Sequence, residues 1–172
     1  MKKVFTAVFF CILYLPAVSA QNECADKLGN FTFVMPDGWT AVNLAGVKYK
    51  IAAGLTIDGF TQNISVMREK YSGAFDEYIK ETEQNILNYM PLHQIIKKTG
   101  FNNDYNIPAE KFVFEIFDEE RQNNILKQYL YIFQTDGICF LFTCSVRADE
   151  PKEIEDVFDE SMRTFHTLHK EM

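Results

Sequence analysis

The alternation of apolar and polar residues predicts β-strands in the first third of the chain. Phe31-Thr32-Phe33-Val34 alternates and is followed by Pro36-Asp37-Gly38-Trp39. Because proline presets φ and glycine accepts a positive φ, a strand and a turn are expected. Residues 47–57 and 60–70 flank Asp58-Gly59, a dipeptide that favours the type I′ turn of an antiparallel hairpin.

The spacing of apolar residues changes to a helical interval between residues 74 and 90. The interval predicts an amphipathic helix that lies on a sheet, begins near Ser72 or Gly73 and ends at Pro91. The apolar stripe of this helix is expected to consist of Phe75, Tyr78, Ile79, Ile86, Leu87 and Met90.

Four extended runs and a second helix complete the pattern. The runs cover about residues 92–100, 107–118, 124–134 and 138–147, and short polar connections between the later ones predict an antiparallel meander. Apolar residues occur on both faces of these strands, so both faces are expected to be covered. A helix is expected over residues 151–169, with Pro151 near its first turn and a buried stripe of Ile154, Val157, Phe158, Met162, Phe165 and Leu168. The fold class predicted is α+β: an antiparallel six- to seven-stranded sheet packed with two long helices, in one domain over residues 21–172.

The N-terminal residues have the three parts of a secretory signal. Lys2 and Lys3 are followed by an apolar stretch from Val4 to Leu15, and Val18-Ser19-Ala20 supplies the small residues that signal peptidase requires. We therefore expect a removable signal at residues 1–20, cleaved after Ala20. The apolar stretch is shorter than the roughly 20 residues that a membrane-spanning helix needs, which disfavours the alternative of a retained anchor. A short n-region with two lysines suits a bacterial signal and a periplasmic or secreted product.

The charge of the chain disfavours several classes of partner. The full chain has a formal net charge of −7, and residues 1–20 contribute two lysines and no acid, so the remainder is more acidic still. An acidic surface without a basic cluster repels nucleic acid and anionic lipid headgroups. We expect no nucleic-acid binding, and no membrane span after removal of the signal.

Three cysteines follow the signal: Cys24, Cys139 and Cys144. The last two stand five residues apart in one predicted strand, so they face opposite sides at a separation of roughly 16 Å. A disulfide needs Cα atoms within about 7 Å, which excludes a bond between these two. Cys24 could pair with either of them, and the sequence leaves open whether it does, although buried thiols are favoured.

The order of elements resembles the α/β/α sandwich superfamily that contains the PsbP subunit of photosystem II, the bacterial envelope protein DcrB and a eukaryotic Ran-binding release factor. The resemblance lies in residues 31–39, in the start of the first helix at Tyr71 to Ile79 and in Gln128-Tyr129. It continues in residues 137–143 and in the last helix from Phe158 to Phe165. It implies a PsbP-like or DcrB-like α/β/α fold and a non-catalytic accessory or binding role. It carries no functional residue, because fold alone does not transmit function.

The last helix contains the candidate metal ligands of the chain. His166 and His169 are spaced i, i+3, which can place two imidazoles on one metal ion. Glu153, Asp156 and Glu160 share one helical face, with Glu155 and Asp159 beside them, and such a face offers oxygen ligands to a divalent cation. The alternative for the acids is a solvated face whose charges stabilise the start of the helix.

No motif marks a catalytic site or a cofactor. The chain has no Gly-x-Ser-x-Gly elbow, no phosphate-cradling glycine loop and no His-Glu-x-x-His, and Ser145 and Ser161 lack the context of a nucleophile. The many aromatic residues predict either a filled interface between sheet and helices or a cleft for a partner. The function expected is that of an exported, non-catalytic accessory domain that binds another envelope protein. The alternatives are a protein that binds a small ligand or a divalent cation, and an enzyme of unknown class.

Overall fold

The structure, a computed structural model, describes residues 22–90, 92–118 and 123–168. The predicted signal at residues 1–20 lies outside this range, so the signal and its cleavage after Ala20 stay predictions. In chain order the described elements are β1 Glu23–Asp26, β2 Phe31–Val34, β3 Thr40–Val42, β4 Ile51–Ile57, β5 Phe60–Lys70, α1 Phe75–Tyr89, β6 His93–Phe101, β7 Ala109–Asp118, β8 Asn123–Thr135, β9 Ile138–Arg147 and α2 Ile154–Arg163.

A seven-stranded sheet forms the middle layer of the molecule. Its strand order is β3-β4-β5-β9-β8-β7-β6, and every neighbouring pair is antiparallel. Strands β6 to β9 form the predicted meander, and β5 pairs with β9. In the β4–β5 turn Asp58 and Gly59 have φ angles of 48° and 81°, both in the left-handed region that a type I′ turn requires. The α+β class and the hairpin are therefore confirmed.

The strand at residues 31–34 does not belong to the main sheet. It pairs with β1 in a separate two-stranded sheet, and the seventh strand of the main sheet is β3, a strand of three residues that the sequence pattern does not predict. Phe31, Thr32 and Phe33 are all buried. Burial on both faces is expected for a strand in a second layer that packs on the main sheet.

Both faces of the main sheet are covered, as predicted, but by different elements. We call one side the α2 face, where α2 and the β1–β2 sheet pack on Tyr129, Tyr131, Phe133, Phe140 and Phe142. The other side is the α1 face, where α1 packs on Phe112, Phe114, Leu130, Ile132 and Leu141. The result is an α/β/α sandwich with a helix on each side of the sheet.

The second helix is shorter than the predicted 151–169 and ends at Arg163. After Thr164 the backbone of His166 pairs with that of Thr32 in both directions, at N···O distances of 3.0 and 3.1 Å. The side-chain amide of Asn103 donates to the carbonyl oxygens of Arg163 and Phe165 at 3.0 and 2.9 Å. These bonds satisfy the last carbonyls of the helix, so the chain can leave the helix without burying unpaired backbone groups.

The stripe of the first helix is narrower than predicted. Tyr78, Ile79 and Ile86 are buried, whereas Leu87 and Met90 are exposed. The sheet beneath α1 therefore covers the apolar stripe only as far as Ile86. The apolar side chains at the end of the helix, Leu87 and Met90, remain exposed.

Candidate functional site

A concave surface lies where α2 meets the two-stranded sheet and the end of the β4–β5 hairpin. Its volume is about 700 Å³, within the range of ordinary ligand sites. We call it the acidic cleft. Its walls come from β2 and the following turn, from β4 and β5, and from the segment 150–164. Its lining residues are Val34, Met35, Pro36, Asp37, Trp39, Leu55, Gln62, Glu150, Pro151, Glu153, Ile154, Val157, Glu160, Ser161 and Thr164.

The apolar part of the lining centres on Trp39. The indole ring is 6% exposed and meets the ring of Phe158 edge-on, with 5.8 Å between the ring centroids. Gly54 makes this position possible, because a Cβ on residue 54 would come within 2.4 Å of the indole. Leu55, the next residue, is 68% exposed and also lines the cleft. Met35, Ile154 and Val157 extend this apolar surface.

Gln62 is one of two buried polar residues that line the cleft, and the other is Ser161. It is 6% exposed and lines the cleft, and its carboxamide makes no hydrogen bond to the described part of the chain. It shares the inward face of β5 with Ile64, because residues i and i+2 of a strand point to the same side. The carboxamide is not completely sealed from solvent, so its donors and its acceptor are available to a molecule that enters the cleft.

The polar lining is otherwise acidic. Asp37, Glu150, Glu153 and Glu160 contribute carboxylates, and none of them forms an ion pair with a residue that the structure describes. Among the described residues that line the cleft there is no lysine, arginine or histidine. The cleft therefore combines an apolar floor with uncompensated negative charge.

Hydrogen bonds fix the cleft walls relative to each other. The backbone N–H of Val34 donates to Oγ1 of Thr164 at 2.8 Å, and Oγ of Ser161 donates to the carbonyl oxygen of Val34. On the other side, the amide of Asn22 donates to the carbonyl oxygen of Trp39 at 2.6 Å. These bonds connect α2, β2 and the turn at Trp39, so the shape of the cleft is set by tertiary structure.

The structure separates the acids that the sequence grouped on α2. Glu153, Asp156 and Glu160 are all exposed, as expected for a solvated face; Glu153 and Glu160 also line the acidic cleft, and Asp156 does not. Glu155 and Asp159 are not part of a solvated face, which corrects that alternative for these two residues. Both accept hydrogen bonds from Nζ of Lys111, at 2.7 and 2.6 Å.

Lys111 forms the centre of a buried charge network beneath α2. Its side chain extends from β7 and the residue is 1% exposed. Tyr131 also donates its hydroxyl to Asp159 at 2.6 Å, and Lys97 donates to Glu155 at 2.8 Å. Burial disfavours the charged form of Glu155, but the hydrogen bonds from Lys111 and Lys97 outweigh it and hold the pKa of Glu155 below its usual value. This network attaches α2 to the sheet.

Of the predicted histidine pair the structure describes His166, which is not helical. It lies beyond the end of α2 with its ring against that of Tyr105, at 4.3 Å between ring centroids and an angle of 32° between the ring planes, and its Nδ1 lies 3.0 Å from the carbonyl oxygen of Thr164. His169 is outside the described residues, so a metal site at this pair stays a prediction. Within residues 22–90, 92–118 and 123–168, no three His, Cys, Asp or Glu side chains come together closely enough to hold a metal ion.

The three cysteines in the described part of the chain, Cys24, Cys139 and Cys144, are free and buried. Cys139 lies on the α1 face and Cys144 on the α2 face, which confirms that they face opposite sides. Burial raises the pKa of Cys24 and of Cys139 to about 11, and raises that of Cys144 as well. A thiol with a raised pKa is a poor nucleophile. Ser161, whose hydroxyl donates to Val34, is likewise occupied.

A second concave surface lies between α1 and the sheet. We call it the α1 groove; its volume is about 470 Å³ and its apolar lining includes Met67, Ile86, Tyr89, Met90 and Leu130. His93 also lines it, and Nδ1 of His93 is buried without a hydrogen-bonding partner. Three of its rim residues are exposed: Met67, Tyr89 and Met90.

None of the helices in the described part of the chain has the length and apolar character needed to cross a bilayer.

The fold has close counterparts among solved structures, although sequence identity is low. The structure resembles cyanobacterial PsbP (CyanoP) from Synechocystis sp. PCC 6803, with a TM-score of 0.64 and 15% identity over 89% of this chain and 96% of that one. It resembles LpqN, a protein involved in cell envelope biogenesis of Mycobacterium tuberculosis, with a TM-score of 0.61 and 10% identity over 81% of this chain and 83% of that one. These similarities confirm the predicted PsbP-like and DcrB-like fold.

A third counterpart has no established function. It is PA94 from Pseudomonas aeruginosa, described as a putative regulator, with a TM-score of 0.56 and 12% identity over 73% of this chain and 94% of that one. No protein-family model and no curated protein matches the sequence. At these identities the comparisons show the fold alone.

Sequence reasoning missed most of the cleft. The sequence pattern places both Asp37 and Trp39 in a turn, and it assigns no role to Gln62. The signal for Gln62 was present, because a polar residue on the inward face of a hairpin strand requires an explanation.

Proposed function

We propose that this protein is an exported, non-catalytic accessory domain that binds another protein of the cell envelope through the acidic cleft. The observation that carries the proposal is the cleft itself: an apolar floor around Trp39, surrounded by carboxylates that have no cationic partner in the described chain. Concave apolar surfaces with a few polar groups are the usual form of a binding site.

Three further observations support the proposal. The cysteines are buried with raised pKa values, which gives no activated nucleophile among the described thiols. The N-terminal residues have the pattern of a secretory signal. One of the structural counterparts, LpqN, is described as involved in cell envelope biogenesis.

Site-specific photo-cross-linking in the native envelope tests the proposal. A photoreactive residue at Leu55 faces the cleft, and the same residue at Leu28 provides a matched control, because Leu28 is 67% exposed and does not line the cleft. We expect mass spectrometry to identify a specific envelope protein that is captured from position 55 and not from position 28. Capture from both positions alike, or repeated failure at position 55, would contradict the proposal.

A small apolar ligand in the α1 groove is the second candidate function. It is favoured by the exposed apolar rim of the groove and by the unpartnered ring nitrogen of His93. A thermal-shift panel of fatty acids, other lipids and divalent cations tests it. A ligand at 100 times its dissociation constant stabilises the folded state by about 2.7 kcal/mol, which is readily measured. If no member of the panel raises the Tm, this candidate is withdrawn.

A further inference from the structure

We infer that the occupant of the acidic cleft is a peptide segment of the partner in which an apolar side chain is flanked by lysine or arginine residues. This inference rests on the proposed function and specifies the chemistry that the partner must present. Three features of the cleft each specify one property of the segment: its negative charge, its apolar floor and the carboxamide of Gln62.

The charge of the cleft specifies a cationic ligand. Four carboxylates line it, from Asp37, Glu150, Glu153 and Glu160, and none is paired with a described residue. The described acids nowhere converge on a single point as metal ligands would. Negative charge that is distributed around an opening complements several separate positive charges better than one ion.

The floor of the cleft specifies an apolar side chain between those charges. Trp39, Met35, Ile154 and Val157 supply an apolar surface, and Leu55 exposes most of its side chain beside it. Aromatic and aliphatic anchors that enter such pockets provide most of the energy of protein interfaces. A purely polar cation would leave this surface without a contact.

Gln62 specifies a group that both donates and accepts hydrogen bonds. Its carboxamide has donors and an acceptor, and all are without a partner in the described chain although the residue is 6% exposed. A peptide bond offers one N–H and one C=O. The backbone of a bound segment therefore satisfies the amide in a way that a simple cation does not.

Trp39 provides the measurement, because it is the sole tryptophan of the chain and lies in the cleft. The probe is a tryptophan-free peptide with the sequence Gly-Lys-Lys-Leu-Phe-Lys-Lys-Gly and blocked ends, titrated into the purified protein while Trp39 emission is recorded. Three comparison probes are the same peptide with glutamates for lysines, the same peptide with serines for Leu-Phe, and spermidine or Ca²⁺ alone. We expect saturable binding of the first peptide, at least about tenfold tighter than that of any comparison probe.

Variants locate the binding. E153Q/E160Q removes two charges from the cleft, and D156N removes one charge from the same helix outside the cleft, which makes it the matched control. We expect E153Q/E160Q to weaken binding about tenfold at low ionic strength, a difference that shrinks in high salt. Q62L is expected to weaken binding about two- to tenfold in both conditions, as the loss of an uncharged hydrogen bond does.

Several results would overturn the inference. These are equal binding of the glutamate peptide, equal binding of the serine peptide or of spermidine or Ca²⁺, and an effect of D156N as large as that of E153Q/E160Q. The proposed function is tested separately by cross-linking from position 55. If that position captures a protein whose cross-linked segment is not basic, the proposed function stands and this inference fails. If it captures nothing, the proposed function fails whatever the peptides do.

Discussion

The two faces of the main sheet are covered to different degrees. On the α2 face, the ten residues of α2 and the small β1–β2 sheet enclose a set of aromatic rings and a buried charge network. On the α1 face, a helix of 15 residues buries Tyr78, Ile79 and Ile86 and leaves the α1 groove open near the C-terminal end of the helix. The face that the longer helix covers thus has the smaller core.

The difference shows that the length of the covering helix does not set the size of the core on a face, because other segments contribute to it. Phe165 follows α2 and contacts the rings of Phe133, Phe140 and Phe142 at 4.5 to 5.2 Å between centroids. Ring pairs of this kind add to the energy of burial. On the α1 face Ile86 belongs to the smaller cluster and borders the open groove.

The largest expected effect of this difference is on the stability that is lost when a core side chain is truncated. Phe165→Ala should lower the free energy of unfolding by about 3–5 kcal/mol, because it opens a cavity among three aromatic rings. Ile86→Ala should cost about 2 kcal/mol, near the lower end for aliphatic truncations, because the adjacent groove already leaves part of this side chain without neighbours. Urea unfolding of both variants measures the difference. Equal losses would contradict the unequal coverage of the two faces.

A second difference concerns ion pairs. Lys111→Ala should destabilise the protein by about 3 kcal/mol, since it leaves Glu155 and Asp159 without the buried cation that binds both. Lys98→Ala breaks the corresponding pair on the other face, Lys98 with Glu83, and should cost less than about 1 kcal/mol because that pair is partly solvated. Denaturant unfolding at constant pH compares the two variants. A loss for Lys98→Ala as large as that for Lys111→Ala would show that burial of the pair is unimportant here.

The same network predicts a dependence on pH. The folded protein holds the pKa of Glu155 below its usual value of 4.5, so the stabilisation is present in full above that value and is lost as the pH falls through the folded pKa. Glu155→Gln should therefore be less stable than the wild type at pH 7, and the gap should narrow below pH 4.5. Asp156→Asn is the control on the same helix. Unfolding curves from pH 7 to pH 3 measure both, and a gap that stays constant would exclude this origin.

The strands and helices were predictable where their signals are local. The hairpin followed from Asp58-Gly59, and the four later strands from alternation, because turn chemistry and side-chain period act over a few residues. The layer to which β2 belongs was not predictable in this way. Its pattern fits an edge strand and a covering strand equally well, and only its backbone pairing, with β1 and between Thr32 and His166, distinguishes them.

The same limit applies to the acids of α2. Their spacing placed them on the surface of a helix, but the sequence did not show that Lys111 from β7 reaches two of them or that two others line a cleft. Lys111 shares the inward face of its strand with Val113, as Gln62 does with Ile64. Polar residues at inward positions were therefore the available signal, and they marked the network and the cleft.

The smallest expected effect is a difference between the labelling rates of two buried thiols. Cys139 on the α1 face and Cys144 on the α2 face are both fully buried, and burial raises the pKa of each, so a maleimide reacts only after local opening. Because opening requires less free energy where fewer buried contacts must be broken, Cys139 should be labelled several-fold faster than Cys144 under native conditions. Peptide mapping by mass spectrometry after timed labelling measures both rates in one sample, and the fully denatured protein supplies the control in which the two rates should converge. Faster labelling of Cys144 would mean that the α2 face opens first, contrary to the order of coverage described here.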